Sequence, residues 1–223
     1  LVYRESFMRT KSKQSFNPND VKIIEKKTVF KGFFQLDQIR LKHRLFEGGW
    51  SDVMSREIFE RGHAVAVLPY DPIRDEIVLI EQFRPGAYTA LDYEWFESET
   101  SPWLTECVAG IIEKGEKPIE VARREMIEET GLEITNLTKI FHYLVSPGGS
   151  SESVFLFCGK VDSTNASGVF GMTGEHENIR VFSISKKEAF NLLDQGMITN
   201  AMTIIGLQWL KANCDRIQSE WCR

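Results

Sequence analysis

The sequence predicts an α/β or α+β sandwich built on a mixed sheet, with a smaller β section on its N-terminal side. From residue 62 onward, short apolar runs of strand length alternate with a few segments of helical periodicity, which is typical of a sheet covered by helices. Between residues 21 and 60, by contrast, the apolar segments are strand-like. The 223 residues, 42% of them hydrophobic, are enough to form a sizeable core.

The N-terminal section is interpreted as an arm followed by a β domain. Residues 1–20 are polar, slightly basic and without periodicity, which predicts a loose arm. Residues 21–60 are predicted to form antiparallel strands, because 29–34 is rich in aromatic and β-branched residues and apolar residues alternate with polar ones from Ile39 to Leu45. A section of strands this short cannot bury both of its faces alone. We therefore expect it to pack on the main domain or on a second subunit.

The main domain is predicted to span residues 61–223. Turn-forming residues from Asp71 to Asp75 separate its first two strands, and Ser185 with Glu188 forms a capping box that opens a helix. The small-residue stretch from Ser163 to Gly174 predicts a mobile loop. The predicted strands cover 63–70, 76–83, 103–110, 137–145, 153–160 and 179–185. The predicted helices cover 117–130, 185–196 and 200–212.

Charge and cysteine content argue against several classes of protein. The chain has 27 Lys and Arg against 32 Asp and Glu, a net charge of −5, so we expect no nucleic-acid partner and no membrane binding. We find no apolar run typical of a secretion signal or a membrane span. The four cysteines show no compact spacing, which predicts free thiols in the cytoplasm.

The acidic charge is concentrated in one segment. Between Glu106 and Glu133 there are eight glutamates and four basic residues, so this segment holds −4 of the total charge of −5. Pro118 suits the first turn of a helix, and Gly131 suits the position just after the last turn. The segment therefore predicts an acidic helix between these two residues.

Three glutamates of this helix fall on one face. At about 100° per residue, Glu125, Glu128 and Glu129 lie within one sector, and like charges at these spacings destabilise a helix by roughly a few tenths of a kcal/mol per pair. Such a cluster is often only a solvated charged face. It becomes favourable when hard divalent cations bind among the carboxylates, and a rigid helix bearing a few carboxylates suits Mg²⁺ that also holds substrate phosphates.

The sequence around this helix resembles a known motif. Gly110, Glu116 and the run REMIEETGL from Arg124 to Leu132 have the spacing of the Nudix box, with every fixed position present. The chain thus resembles the Nudix hydrolases, a family that cleaves nucleoside diphosphates linked to another group with the help of divalent metal. The resemblance implies an α/β fold, a Nudix α/β/α sandwich with a mixed sheet.

Further segments resemble the ADP-ribose pyrophosphatase subfamily. Pro147 follows Leu132 by fifteen residues, within SPGGSSE, although alone this segment would be an ordinary turn between strands. The other similar segments are RGH at 61–63, EQFR at 81–84 and GEHE at 174–177. The resemblance spans about residues 21–221 and implies Mg²⁺-dependent hydrolysis of ADP-ribose, a small nucleotide sugar, to AMP and ribose 5-phosphate. It also implies an N-terminal β domain that is swapped across a homodimer.

The resemblance assigns metal-binding and catalytic roles. Glu175 corresponds to the general base, and Glu128 to a further metal ligand or an electrostatic support. Without the resemblance, glutamates beside a glycine-containing loop would be interpreted as surface residues. Two or three Mg²⁺ ions, with Mn²⁺ as a substitute, have four corresponding ligands: the carboxylates of Glu125, Glu129 and Glu177 and the backbone carbonyl of Ala109.

Other residues correspond to positions that shape the box or contact substrate. Arg124, which by spacing alone could form only a surface ion pair, corresponds to a catalytic-site residue that pairs with Glu116 and orients the box. Gly110 and Gly131 correspond to positions that set the shape of the box. Four residues correspond to substrate contacts: Arg84 on the phosphates, Arg56 as a second arginine, Phe33 stacking on adenine, and Ser146. An aromatic residue in a strand is otherwise usually part of a core.

One segment departs from the subfamily pattern. Between Tyr88 and Pro102 the chain reads TALDYEWFESETS, several residues longer than the corresponding loop. It could be a surface insertion or a lid that alters which terminal sugar fits. Two alternative functions stay open. The first, which the loop would help to decide, is a pyrophosphatase for another ADP- or GDP-sugar. The second is a non-catalytic Nudix ligand-binding module. The second is disfavoured because the box retains all its glutamates and no basic helix-turn-helix sequence is present.

Overall fold

The computed structural model describes residues 16–95, 100–172, 174 and 176–222. They divide into two compact units. Of the described residues, the first unit contains those from 16 to 61 together with Ser146–Glu152, and the second contains those from 62 to 145 and from 153 to 222. Of the predicted arm, residues 1–15 lie outside the described residues, and Pro18–Asp20 forms a 3-10 turn capped by the side chain of Asn17.

The first unit is a three-stranded antiparallel sheet. Its strands, in the order in which they pair, are Val21–Lys31 (β1), Gln35–His43 (β2) and Met54–Glu60 (β3). The segment Ser146–Glu152 joins β3, because the N–H of Phe59 donates to the carbonyl of Gly149 (2.8 Å). All eleven residues of β1 are exposed. No layer of the described part of this unit therefore covers its edge strand.

The second unit is built on one mixed sheet. Its strands are His63–Asp71 (β4), Glu76–Phe83 (β5), Trp103–Glu106 (β6), Val108–Ile112 (β7), Asn136–Leu144 (β8), Ser153–Lys160 (β9), Gly168–Phe170 (β10) and Ile179–Ser185 (β11). They pair in the order β10-β11-β5-β4-β9-β8, with β6 paired to β5 and β7 to β4. The pair of β4 and β9 is parallel and the others are antiparallel.

Helices cover both faces of this sheet. They span Pro85–Ala90 (α1), Pro118–Thr130 (α2), Lys186–Asp194 (α3) and Ala201–Trp221 (α4). On one face, α2 packs against a core that includes Val65 and Ile80. On the other, α3 and α4 pack against a core that includes Leu68 and Leu79. Because neighbouring strand residues point to opposite faces, both sides of the central strands are apolar, and the predicted α/β sandwich with a mixed sheet is confirmed.

The predicted strand at 103–110 is wrong in one respect, because Cys107 divides it into β6 and β7. Strand β6 pairs with β5 and β7 pairs with β4, so the chain changes its neighbour at this residue. The N–H of Cys107 donates instead to Oγ1 of Thr203 (2.8 Å). The apolar run continues across the step, and its periodicity therefore does not reveal the break.

The helix predicted at 200–212 is longer, since α4 continues to Trp221. Ile217 and Trp221 are buried and extend the apolar stripe of Leu207 and Leu210. Strand β10 lies within the stretch from Ser163 to Gly174 that was predicted as a loop, and α1 runs into the start of the longer loop at 88–102. None of the helices in the described part of the chain is long and apolar enough to cross a membrane.

Candidate active site

The glutamates predicted to bind metal lie on α2, whose ends follow from its sequence. Pro118 occupies the first turn, and Gly131 ends the helix with a φ of 70°, its N–H donating to the carbonyl of Ile127 (2.9 Å). The apolar face of α2 is buried against the sheet. This packing places the carboxylates of Glu125 and Glu129 beside β7.

Gly110 on β7 makes room for Glu125. A Cβ atom at position 110 would lie 1.9 Å from Oε1 and 2.0 Å from Cδ of Glu125, which is far inside van der Waals contact. The carboxylate therefore lies directly over the strand backbone. Glycine is needed at this position because of that close approach.

Glu129 is held at the neighbouring residue of the same strand. It is 4% exposed, and its Oε2 accepts a hydrogen bond from the N–H of Ala109 (3.2 Å). Helix α2 and strand β7 thus bring together Glu125, Glu129 and the backbone of Ala109, three of the groups that the sequence predicts as metal ligands.

Burial makes both carboxylic acids hard to ionise. The pKa of Glu129 rises to about 8, because burial outweighs the hydrogen bond from Ala109. The pKa of Glu125 rises to about 7, because burial outweighs the attraction of Arg124. The charge of Glu177 contributes to both increases, so Glu177 lies within electrostatic reach of the pair. A divalent cation would relieve the same cost by pairing with the charged forms, and the arrangement therefore fits such a cation.

The two carboxylates do not form a complete cage by themselves. Among the described residues, no three His, Cys, Asp or Glu side chains converge in positions that could hold a metal ion. Mg²⁺ usually keeps several waters and is bound by one or two carboxylates together with substrate phosphates. A pair of carboxylates that leaves ligand positions for water and phosphate suits Mg²⁺ better than a cation that requires a closed protein site.

Arg124 connects three carboxylates of the motif. Its Nη1 lies 2.9 Å from Oε1 of Glu125 and 2.8 Å from Oε2 of Glu128, and its Nε lies 3.6 Å from Oε1 of Glu116. Glu116 also accepts the N–H of Glu113 (2.8 Å), which ties the loop before α2 to the helix. The shared guanidinium turns Glu128 toward Arg124 and restrains the orientation of Glu125.

Glu177 lies in the segment that leads into β11. Its Oε2 accepts the N–H of Met172 (3.1 Å), and its own N–H donates to the carbonyl of Met172 (3.3 Å). Gly171 has a φ of 106° and approaches Glu177 so closely that a Cβ there would lie 2.7 Å from the Cβ of Glu177. This turn fixes Glu177, whereas Glu175, the predicted general base, lies outside the described residues.

Sequence reasoning missed Glu106, the partner of Arg84. Both Nε and Nη2 of Arg84 lie 2.8 Å from Oε2 of Glu106. Glu106 is 1% exposed, and burial raises its pKa despite the opposing effects of Arg84, Asn200 and Gln82. A glutamate inside the apolar run WLTECV was the available signal, because a charged residue in a buried strand needs a partner.

Three residues predicted to contact substrate belong to the first unit. Phe33 is 88% exposed, and its ring meets Phe34 edge to face with centroids 4.8 Å apart. Arg56 is exposed and donates from Nη1 to the backbone carbonyl that precedes it (2.7 Å). The carbonyl of Ser146 accepts two backbone N–H groups and closes the Pro-Gly turn. Phe33 is thus an exposed ring and not a core residue.

The longer loop at 88–102 is described up to residue 95 and from residue 100. Its first part belongs to α1, and the rings of Tyr93 and Trp95 stack with centroids 4.7 Å apart and an interplanar angle of 15°. Both rings are exposed. The loop therefore presents aromatic surface, which agrees with either of the roles left open by the sequence.

Comparison with known proteins places this fold and site in one class. A NUDIX domain match covers residues 60–198, and the chain therefore belongs to the NUDIX family. It is 47% identical over 207 residues to the ADP-ribose pyrophosphatase of Escherichia coli (strain K12), covering 93% of this chain and 95% of that protein. It is 31% identical over 194 residues to the GDP-mannose pyrophosphatase of Cronobacter sakazakii (strain ATCC BAA-894), covering 86% of this chain and 95% of that protein.

A solved structure shares the fold. The crystal structure of ADP compounds hydrolase matches with a TM-score of 0.63 at 19% identity, covering 93% of this chain and 99% of that chain. The predicted Nudix sandwich is confirmed by this match and by the domain match. The prediction that the chain is a Nudix enzyme is confirmed as well, because relatives that match nearly its whole length are enzymes.

Proposed function

We propose that this chain hydrolyses the diphosphate of ADP-ribose to AMP and ribose 5-phosphate in the presence of Mg²⁺. The observation that carries the proposal is the pair of Glu125, which is partly buried, and Glu129, which is buried, held against the backbone of β7 and within reach of the charge of Arg84. Two acids at least partly withdrawn from solvent and close to a guanidinium form a site where cations and an anionic diphosphate can bind together. The 47% identity to the ADP-ribose pyrophosphatase of Escherichia coli supports this substrate.

The metal ligands are proposed on the same basis. Two or three Mg²⁺ ions, with Mn²⁺ as a substitute, would be held by Glu125, Glu129, Glu177 and the backbone carbonyl of Ala109. When bound, divalent cations neutralise the diphosphate and lower the pKa of water at the site. Arg124 restrains Glu125 and Glu128 through its ion pairs, and Gly110 and Gly131 let the strand and the helix end approach their neighbours closely.

The remaining steps are assigned to side chains of this chain. Glu175 is proposed as the general base that removes a proton from the attacking water, which attacks one phosphorus in line. The enzyme forms no covalent bond to the substrate in this scheme. Arg84 is proposed to bind phosphate oxygens, Phe33 to stack on adenine, and Arg56 and Ser146 to contact the substrate.

We further propose that residues 21–60 are a dimerisation and substrate domain, exchanged across a homodimer, that follows a loose arm at 1–20 and precedes a hydrolase domain at 61–223. In support, β1 leaves Ile23, Ile24 and Phe30 each more than half exposed. An exposed apolar edge strand is prone to pair with other chains unless a partner covers it. A second copy of this chain is the proposed partner.

A cytoplasmic location is also proposed. The four cysteines are free thiols, and Cys107 and Cys158 are buried in the core. Reduced thiols of this kind are typical of a reducing compartment.

Product analysis tests the proposed reaction. The enzyme is incubated with Mg²⁺ and equal concentrations of ADP-ribose, ADP-glucose or GDP-mannose, and the products are separated by chromatography. The highest kcat/KM is expected for ADP-ribose, with AMP and ribose 5-phosphate in equal amounts. Equal kcat/KM values for the three substrates would contradict the proposed preference for ADP-ribose. ADP-ribose that binds in calorimetry but is not hydrolysed would favour the binding-module alternative.

A second candidate function is hydrolysis of a GDP-sugar. Its specific support is the 31% identity to a GDP-mannose pyrophosphatase over 86% of this chain. The exposed rings of Tyr93 and Trp95 could contact a larger terminal sugar. A higher kcat/KM for GDP-mannose than for ADP-ribose in the same panel would favour this candidate.

A further inference from the structure

We infer that Glu106 is a positioning residue that orients Arg84 toward the substrate diphosphate, a role that rests on the function proposed above for Arg84. The contact from Nε and Nη2 of Arg84 to Oε2 of Glu106, 2.8 Å for each nitrogen, occupies one edge of the guanidinium. Among the described residues, Nη1 of Arg84 has no hydrogen-bond acceptor. The outer edge, formed by Nη1 and Nη2, is therefore available to donate in parallel to two phosphate oxygens.

The surroundings of Glu106 require a carboxylate. Its Oε2 accepts hydrogen bonds from Arg84 and from Nε2 of Gln82 (3.3 Å), and its Oε1 accepts one from Nδ2 of Asn200 (2.7 Å). Donors thus converge on both oxygens. An amide in the same place would turn its own NH₂ group against one of these donors, so glutamine cannot reproduce the arrangement.

Asn200 holds the carboxylate oxygen of Glu106 that Arg84 does not contact. The Oδ1 atom of Asn200 caps α4 by accepting from the N–H and from Oγ1 of Thr203, at 3.1 Å each. Thr203 in turn accepts the N–H of Cys107 (2.8 Å). The carboxylate is thereby attached to a helix terminus and to the step between β6 and β7. Such rigid support is what a substrate-binding arginine needs to stay in one orientation.

Stability alone does not account for this ion pair. A buried ion pair seldom stabilises a fold more than apolar residues of similar volume would. Here the side chain of Glu106 is 2% exposed and that of Arg84 is 38% exposed, so a buried anion holds a cation that still reaches solvent. The charge of Arg84 also acts on Glu129. Without Glu106, the guanidinium would be drawn toward the acidic residues proposed to bind cations.

The first test compares Glu106→Gln with a matched control. Glu106→Gln is expected to raise KM about 10-fold while kcat changes less than about 3-fold, because the arginine is still present but no longer oriented for binding. Glu81→Gln is the control. Nε and Nη2 of Arg180 lie 2.9 and 2.7 Å from Oε2 of Glu81 on β5, in an arginine–glutamate pair of the same geometry that is more exposed than the pair of Arg84 and Glu106. Glu81→Gln should leave both constants within about 2-fold of wild type.

A double-mutant cycle shows whether Glu106 acts through Arg84. The second change is Arg84→Lys. The double variant should have the same kcat/KM as Arg84→Lys alone, because a residue that only orients the guanidinium of Arg84 has no effect once that guanidinium is absent. Additive losses would overturn the inference, and so would an unchanged KM for folded Glu106→Gln. Thermal melting identifies variants that fail to fold.

If Glu106→Gln does not fold, Asn200→Ser provides the second test. Serine keeps an N-cap for α4 but removes the donor to Oε1 of Glu106, so a smaller rise in KM, of about 3-fold, is expected. An unchanged KM in that variant would also overturn the inference. The kinetics use whichever diphosphate nucleotide the wild type hydrolyses fastest, so failure on ADP-ribose would reject the proposed substrate and not the role of Glu106. Binding of α,β-methylene ADP-ribose measures the same contact without turnover.

Discussion

The carboxylate of Glu125 occupies the space that a side chain at position 110 would fill, with Oε1 only 1.9 Å from the Cβ position of Gly110. Gly110→Ala must therefore displace Glu125 from β7. We expect the rate of hydrolysis to fall by roughly 10²-fold, since a displacement of about 1 Å in an active site can cost that much. The Mg²⁺ concentration for half-maximal rate should rise as well. Steady-state kinetics across a Mg²⁺ titration measure both effects.

Gly86→Ala is the control for this substitution. Nothing lies within 4 Å of a Cβ at position 86, which is in helix α1, so alanine should leave the rate within about 2-fold of wild type and favour the helix slightly. Thermal melting shows whether Gly110→Ala is folded. A folded Gly110→Ala protein with the wild-type Mg²⁺ dependence would contradict the predicted displacement of Glu125.

Glu175 and Glu177 are two residues apart but have different proposed roles. Glu175→Gln should lower kcat by roughly 10²–10⁴, the usual contribution of a general base, with little change in Mg²⁺ dependence. Glu177→Gln should instead raise the Mg²⁺ requirement, because it removes a proposed ligand. Rate measurements over a Mg²⁺ series separate the two patterns. Wild-type turnover in folded Glu175→Gln would reject the base, and unchanged Mg²⁺ dependence in Glu177→Gln would reject the ligand.

Mg²⁺ binding should release protons near neutral pH. The pKa values of about 7 for Glu125 and about 8 for Glu129 mean that both acids are largely protonated at pH 6.5, and a cation binds their ionised forms. Between one and two protons per site should therefore be released, and affinity should rise about 10-fold or more from pH 6.5 to 7.5. Calorimetry in buffers of different ionisation enthalpy counts the protons. Glu129→Gln should lower the count, and pH-independent affinity would contradict the prediction.

The same two acids predict how the metal-free protein responds to pH. Their pKa values in the fold, about 7 and about 8, exceed the ~4.3 of an unfolded glutamate, so the protonated forms favour folding. This contribution is fully present below pH ~4.3 and is lost as the pH rises toward 8. With EDTA, the melting temperature should decline from pH 5 to 8, and less so in Glu125→Gln. Added Mg²⁺ should restore it most at pH 8, and a flat profile in EDTA would contradict the prediction.

The sequence predicts α2 well because its signals are local. Pro118, Gly131 and the spacing of the glutamates between them lie within one short segment, and the structure begins and ends the helix at that segment. The resemblance assigned Gly110 only to the shape of the box, and its close approach to Glu125 was not predicted, since that depends on how β7 and α2 pack. Short-range patterns therefore predicted the position of the helix, and the resemblance to a family predicted its role in metal binding.

Features formed by distant segments could not be predicted in this way. Glu106 and Asn200 are separated by 94 positions along the chain, and no periodicity links them. The break at Cys107 arises because two neighbouring strands take up the two halves of one apolar run. The joining of Ser146–Glu152 to β3 likewise depends on a hydrogen bond from Phe59 to Gly149. Each of these features is long-range, and each follows from the fold rather than from local preference.

The exposed strand β1 allows a direct test of the proposed homodimer. Phe30 is 62% exposed within its own chain, so a partner that covers β1 would bury it. Phe30→Lys should shift the protein toward monomer, because burying an unpaired ammonium at an interface is costly. Light scattering at micromolar concentration measures the change in mass. Ile73→Lys is the control, since Ile73 is 80% exposed in the turn between β4 and β5 and should leave the mass unchanged.

The proposed exchange of the N-terminal domain across the homodimer predicts a second effect of Phe30→Lys. If the partner supplies Phe33 to the active site, the monomeric Phe30→Lys protein should lose adenine stacking and its KM for ADP-ribose should rise by roughly 10-fold, the cost of about 1–3 kcal/mol for one stacked base. Activity should also fall with dilution in a partly dimeric sample. Phe30→Lys that stays dimeric would argue against β1 as the interface. A monomer with wild-type KM would show that the site is complete within one chain and would reject the exchange.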